Sequence, residues 1–495
     1  SLAGATTGLV LLAEGIAGVR RANNIYPPEN GTTGNGLPPG QRAVIPPAPT
    51  VESILKEFTP TASTLVSEDF EPTQDNIMKR TQLTTARGVK LALLPKKNRG
   101  EAVTVSLRQH IGDEKNLFGK GAVPELTGAM LMRGTSRYTR EQLSDEFDRL
   151  KIAGGLTHFQ TTREHLPEAL RLVAHVLKEP AFPANEFEQL RRQSLVALEA
   201  SRAEPQAVAA RVLARHFDLY PKGDVRHANS FDDDLAELTA ARLDELRAFH
   251  REFYGSVPAE MAIVGDFDAA AIVPLVDELF GAWKAPANVA PVLRRHAEIA
   301  PLKTTLNTPD KENGFYTARL NLDLNIDDAD YPALMLANYI FGEGGLRSRL
   351  MDRIRQKDGL SYGGGSQLEA GDLDRAGAFG ISAIAAPQNL QRLDAAIRAE
   401  LARAVKDGFT AAELAGAKSG LMQQRQQTRA DDGALAAGWT SYLYRDRTYE
   451  WSRQFEAKLM AVTLLQLNAA FRKAIDPAQL SVVMAGDQDK VKPAP

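Results

Sequence analysis

Met261-Ala-Ile-Val-Gly-Asp266 and Leu480-Ser-Val-Val-Met-Ala-Gly-Asp487 are two versions of one phrase. Each is a short apolar run closed by Gly-Asp, the pattern of a buried strand that stops at a breaker. Gly265 and Gly486 stand 221 residues apart, a period too long for a solenoid and suited to a duplicated domain. Outward from these runs the surroundings match as well. Helical periodicity over Leu166–Lys178 and Ala184–Arg202 is mirrored by Leu393–Val405 and Ala411–Thr428, and the turn Ala181-Phe-Pro183 stands where Gly408-Phe-Thr410 stands later. A further helix is expected over Leu235–Phe253. Thr139 with Gln142 offers a capping box for a helix that turns Leu143, Phe147 and Leu150 inward. Strands are expected at Gly88–Pro95 and Val103–Leu107, and Leu320, Leu322, Leu324 and Ile326 alternate with Asn321, Asp323 and Asn325 as a half-buried strand.

Strands first, helices in the middle and a last strand make each repeat an α+β domain. The expected architecture is two homologous domains, each a largely antiparallel sheet with helices packed on one face. They span residues 80–285 and 300–495 and are joined by a linker, 286–299, that contains Pro286 and Pro291. Residues 1–79 precede them as a helix and a Pro/Gly-rich linker. Between Pro27 and Pro60 fall eight of the 27 prolines, a density that no packed domain accommodates. Ser1–Val19 carries only Glu14 as a charge and lacks a basic start, so it reads as a packed helix rather than a signal peptide or membrane span. A start at Ser1 rather than methionine points to a mature or truncated product.

Composition narrows the function. A net charge of −3 gives no reason to expect nucleic acid or an anionic membrane as partner. With no cysteine, disulfides, thiolate metal sites and a cysteine nucleophile are excluded.

One stretch invites a chemical reading: Leu346-Arg-Ser-Arg-Leu-Met-Asp-Arg-Ile-Arg-Gln-Lys-Asp-Gly-Leu-Ser-Tyr-Gly-Gly-Gly365. Leu346, Leu350, Met351 and Ile354 recur at helical spacing, with Arg355 at the margin of that stripe. Gly359 suits the left-handed position past a helix end, and Leu360-Ser-Tyr362 then runs extended. Arg355 and Tyr362 could thus converge from helix end and strand, beside glycines that let another backbone approach. A dipole-favoured arginine and an ordinary glycine cap account for the same pattern without any function.

The stretch resembles the substrate-binding signature of the pitrilysin/insulinase family of zinc metallopeptidases, in which an arginine seven positions before a tyrosine, around Gly-Leu-x-Tyr, binds substrate beside the zinc. Arg355 and Tyr362 match those two positions. The duplication over roughly residues 80–490 resembles the family's paired domains. Tyr26-Pro-Pro-Glu-Asn-Gly-Thr-Thr-Gly34 and Ala43-Val-Ile-Pro-Pro-Ala-Pro49 resemble the junction between the halves of its long, fused members.

The family's zinc motif, H-x-x-E-H, pairs two histidines on one helical face with a glutamate base. The comparable segment here is Val123–Thr135, and counting back from Gly134-Thr135 puts Glu125, Gly128 and Ala129 at the three motif positions. The eight histidines are nowhere closer than seven residues, so no helical pair exists. Glu199, near where a third ligand would fall, reads as a solvated helix carboxylate. No metal and no cofactor is expected in this chain. Gly342-Glu-Gly-Gly345 lacks the Lys-Ser/Thr ending of a phosphate loop.

The resemblance therefore implies the C-terminal half, or a non-zinc subunit, of a peptidase. Arg355 and Tyr362 would bind peptide and stabilise the transition state, zinc would sit in a homologous partner half, fused or separate, and the chain alone would be inactive. A heterodimer cleaving peptides or unfolded chains in a shared chamber is expected, in the bacterial periplasm. The alternative is a non-catalytic scaffold or peptide-binding subunit; a third reading is a chain with its own metal.

Overall fold

The computed structural model describes residues 67–491. The apolar start and the proline-rich segment lie outside the described residues. The first half contains α1 (Gln74–Arg80), β1 (Gln82–Ala86), β2 (Val89–Pro95), β3 (Ala102–Gln109), α2 (Val123–Met130), α3 (Arg140–Arg149), β4 (Ala153–Gly154), β5 (His158–Thr162), α4 (Leu166–Lys178), α5 (Ala184–Ser201), α6 (Pro205–His216), α7 (Phe231–Ala240), α8 (Leu243–Phe253), β6 (Ala259–Gly265) and α9 (Ala269–Phe280). The second contains β7 (Lys303–Asn307), β8 (Gly314–Asp323), α10 (Tyr331–Asn338), α11 (Arg349–Met351), β9 (Gly363–Glu369), β10 (Ala376–Ala385), α12 (Leu390–Asp407), α13 (Ala411–Ala430), α14 (Asp432–Tyr444), α15 (Tyr449–Ala461), α16 (Leu464–Ala474) and β11 (Ser481–Gly486).

Two sheets result, in the orders β1-β2-β6-β3-β5-β4 and β7-β11-β8-β10-β9. Only the β2–β6 and β7–β11 pairs are parallel, so both sheets are largely antiparallel, as the duplicated pattern predicts. The two runs that opened the reading are β6 and β11, each in an interior position of its sheet. Every residue of both is buried. Alternation explains why. Met261 and Ile263 point into a core with Leu170, Val173, Phe253 and Phe280, while Ala262 and Val264 meet Leu435, Ala436 and Trp439 of α14. In the second sheet Val482 and Met484 join Ile397, Leu401 and Phe471, while Val483 and Ala485 meet Ala209 and Leu213 of α6. Each half thus keeps its own helices on one sheet face and lends one helix to the far face of the other half's sheet. Strands buried on both faces read as continuous apolar runs, which is what β6 and β11 are.

Local signals hold in detail. Thr139 and Gln142 form the reciprocal capping box of α3, and Leu143, Phe147 and Leu150 are buried. Leu166–Lys178 is helical from end to end. The single helix expected over 235–253 is two helices. Ser230 caps α7, with Asp233 returning the bond, so the acidic run Asp232–Asp234 lies in a first helical turn rather than ahead of it. The chain leaves the helix at Ala241, which is extended and buried beside Leu126, Met130 and Phe182, and Glu245 accepts the Arg242 N–H to start α8. Tertiary burial of one alanine decides this break, and periodicity carries no trace of it.

Residues 286–299 form no helix or extended strand, yet they are tied down along their length. Asn116 donates to Asn288 O, Ala290 N–H to Gly112 O, Arg294 N–H to Asp374 and Asn321 to Ala297 O. No helix among the described residues is long and apolar enough to cross a membrane.

Candidate functional site

The basic stretch is assembled differently from its periodicity. Gly345–Arg347 is one tight turn, and Ser348, whose Oγ meets Gly345 O at 2.7 Å, caps a new helical start at Arg349. Leu346 therefore falls before the helix and is 53% exposed, which corrects its expected place in the buried stripe. Leu350, Met351 and Ile354 are buried as expected. Residues Asp352–Lys357 widen into a π-helical turn, a form concentrated at functional sites.

Anchors on both sides fix this turn. The Arg349 guanidinium forks onto Glu413, lies over the Phe409 ring and reaches Gly408 O at 3.0 Å. Gly359, at φ +59°, reverses the chain without a Cβ clash. The Ile354 carbonyl then accepts from both Leu360 N–H, at 2.8 Å, and Ser361 N–H, at 3.1 Å. Ser361 is buried with its Oγ 2.8 Å from Ile384 O, and Tyr362 N–H donates to the same carbonyl at 3.0 Å.

Arg355 and Tyr362 each stand one residue beyond that backbone clasp. Both side chains are exposed, Tyr362 by 66%. Of the other basic residues in the turn, Arg353 pairs with Asp358 and Lys357 with Asp352. Among the described residues neither the Arg355 guanidinium nor the Tyr362 hydroxyl has a hydrogen-bond or ion-pair partner, and the two do not bond each other. The fold holds the two backbones and leaves the two donors free.

Tyr362 leads into β9, which among the described residues pairs with β10 alone and is the sheet's edge. Gly363 has open space where a Cβ would lie, whereas Gly364 and Gly365 lie against Ala383 and the Gly342 carbonyl. The inner face of β9 rests on the π-helical turn Tyr339–Glu343. A Cβ on Gly342 would sit 2.4 Å from Ser366 Oγ and 2.6 Å from its amide nitrogen, so Gly342 is a packing residue and not part of a phosphate cradle. Sequence reasoning missed the polar contacts here. Ser366 donates to Asn338 Oδ1 at 2.7 Å, and Asn338 donates to Glu343 at 2.7 Å. Desolvation raises the Glu343 carboxyl above its ordinary range, with the Asn338 bond opposing. Nothing in the spacing of these three residues announces them.

The positions that match the zinc motif lie on α2. Glu125, Gly128 and Ala129 are all exposed residues, the last two carry no ligand atom, and the Glu125 carboxyl is pushed up by partial desolvation at its helix and then by the Asp234 charge. Glu199 sits exposed on α5, 3.3 Å from Arg202. These residues do not fit zinc. Among the described residues no group of three or more His, Asp or Glu is arranged to hold a metal ion.

Residues 240–421 match the family model described as the Peptidase M16 inactive domain. The Bacillus subtilis protein named "Probable inactive metalloprotease YmfF" is 22% identical over 218 residues, 41% of this chain and 48% of that protein. The chain thus spans about half the length of that relative. An uncharacterized zinc protease of Mycobacterium tuberculosis is 27% identical over 312 residues, 59% of this chain and 67% of its own length. In fold, the crystal structure of a peptidase M16 inactive domain from Pseudomonas fluorescens superposes with TM-score 0.71 at 23% identity, covering 82% of this chain and 98% of that one. The periplasmic protease PqqL from Escherichia coli superposes with TM-score 0.64 at 13% identity, over 83% of this chain and 46% of PqqL.

Proposed function

Because this chain carries the inactive domain of the M16 zinc peptidases, the pitrilysin/insulinase family, we propose that it is the substrate-binding, zinc-lacking half of a two-part peptidase. The zinc belongs to a homologous partner half, fused or separate, where it would supply Lewis-acid activation of water. This chain's own part is to bind and orient the peptide. Its domains, 80–285 and 300–495, form one wall of the chamber, and its place of work is the periplasm, where the structurally similar PqqL is named as a protease.

The observation that carries the reading is the state of Arg355 and Tyr362. A guanidinium and a phenol each stand one residue beyond a backbone clasp, exposed and, among the described residues, unpaired, with Tyr362 leading into the edge strand β9. Arg355 is a permanent cation with forked donors and Tyr362 is a phenolic donor, so both suit a peptide carbonyl. Among the described residues no strand pairs with the outer flank of β9, so an extended peptide can add there by main-chain pairing. As negative charge grows on the carbonyl oxygen during attack, donors already in place stabilise it more than they stabilise the bound peptide.

Kinetics in the assembled enzyme test this. Arg355→Ala and Tyr362→Phe should each lower kcat/KM by roughly 100- to 1000-fold while the halves still associate. Unchanged turnover in both variants would remove the assignment and favour a scaffold.

A further inference from the structure

The two sheets differ at one place that the duplication does not predict. In the first sheet β6 pairs with β3 from Val103 to Gln109, along essentially its whole length. In the second, β10 covers β8 from Gly314 to Asp323, but β11 pairs only Phe315 to Arg319. Among the described residues, 320–323 therefore have a strand on one flank and none on the other. The chain that would continue β11 is instead the turn Pro477–Gln479, which cannot extend a ladder.

Backbone alternation shows which groups are left open. Val482 N–H donates to Leu302 O on the β7 side, so Ser481, Val483 and Ala485 turn toward β8, opposite Arg319, Thr317 and Phe315. Leu324 N–H donates to Arg375 O, beside β10. Carried along β8, the alternation aims the main-chain N–H and C=O of Asn321 away from β10 and into the gap.

The gap is a cleft of about 700 Å³, within the size range of ligand sites. Leu320 and Leu322 from one face of β8 and Asn321 from the other all line it, as expected beside a strand edge rather than over a sheet face. The Nδ1 of His296, in the cleft wall, is buried without a partner. Its charges are unbalanced. Arg375 is taken up by Asp323 and Asp328, and Lys473 by Asp330, which among the described residues leaves Glu298 and Asp476 with no cation, Asp476 accepting only the Ala478 N–H.

The geometry points to a second peptide site: a short extended segment, alternating apolar and basic residues, pairs with the open edge of β8 at Asn321. Its apolar side chains lie with Leu320 and Leu322, and its lysines or arginines face Glu298 and Asp476. Six residues of strand separate Asn321 from Phe315, which pairs with Ile384 beside Tyr362, so the cleft lies ~20 Å from the Arg355/Tyr362 end of the sheet. It does not depend on the reading of those two residues.

Fluorescence anisotropy with labelled acetyl-Val-Lys-Val-Lys-Val-amide and the full chain tests the site. Binding should weaken about tenfold in Glu298→Lys, and fail for both the Val-Glu-Val-Glu-Val counterpart and a backbone N-methylated peptide. The component of binding that Glu298→Lys weakens should persist in the Arg355→Ala/Tyr362→Phe double variant, which alters only the first site. Equal binding of the acidic or N-methylated peptide, loss in the double variant, or no binding of the lysine peptide at millimolar concentration would each overturn the proposal.

Discussion

At the residue scale, the glycines carry positional information of different kinds. Gly265 is legible because its φ of +133° and a Cβ position 2.2 Å from Ala102 O leave no other residue possible at the end of β6. Gly486 is less constrained, since a Cβ there would lie 3.1 Å from Leu390 Cδ1, 3.2 Å from Pro387 Cβ and 3.3 Å from Gly314 Cα, yet both glycines close a strand before aspartate. Gly359 is equally legible, since a left-handed helix end has a local signature. Gly342 is not, because what excludes its side chain is Ser366, brought there only by the fold. Gly342→Ala should cost about 1–3 kcal/mol of stability, measured by chemical denaturation, and an unchanged midpoint would contradict the close packing. Glu125 gives a pH test with a definite sign. Its folded pKa lies above the ordinary value of 4.5, so the native state holds the proton more tightly than the unfolded chain and loses stability as pH rises through the raised pKa. Glu125→Gln should therefore raise Tm at pH 7 relative to wild type by more than it does at pH 4.5. A Glu125→Gln variant less stable than wild type at pH 7 would show that the ionised carboxylate is held by a favourable contact.

At the element scale, the largest unforeseen feature is the exchange of α6 and α14 between the sheets. The apolar runs of β6 and β11 announce burial on both faces, but which helix covers the second face is a long-range fact that periodicity does not encode. Trp439 on α14 is buried against the first sheet's far face with Ala262 and Val264. Trp439→Ala should cost about 3–5 kcal/mol and increase amide exchange in β6 and β3, although Trp439 belongs to the second half of the chain. Exchange changes confined to the second sheet would contradict the exchanged packing. The 346–357 stretch shows the opposite limit. Its buried stripe is legible from Leu350 onward, but Ser348 restarts the helix and strands Leu346 in solvent, because Gly345 turns the chain first. The π-helical widening around Arg355 follows directly on the Arg349–Glu413 anchor, whose partners are 64 residues apart in sequence, and has no local signal.

At the scale of the whole molecule, the duplication sets the architecture, and the proposed function rests on the residues that break its symmetry. The first half has no zinc ligand at Gly128 and Ala129, and in the second Arg355 and Tyr362 are exposed with no bonded partner among the described residues. Its segment 286–299 is bonded at Asn288, Ala290, Arg294 and Ala297, so the two halves are clamped along their connection. On the proposed reading, such a chain supplies a binding surface and a zinc-bearing half supplies the chemistry. The direct measurement is hydrolysis of a quenched fluorescent peptide by the purified chain, by a co-expressed zinc-bearing homologue, and by the two together, with and without chelator. The account predicts activity only in the mixture, abolished by chelator and restored by zinc. Chelator-sensitive hydrolysis by this chain alone, or silence across a peptide library in a verified complex, would contradict it.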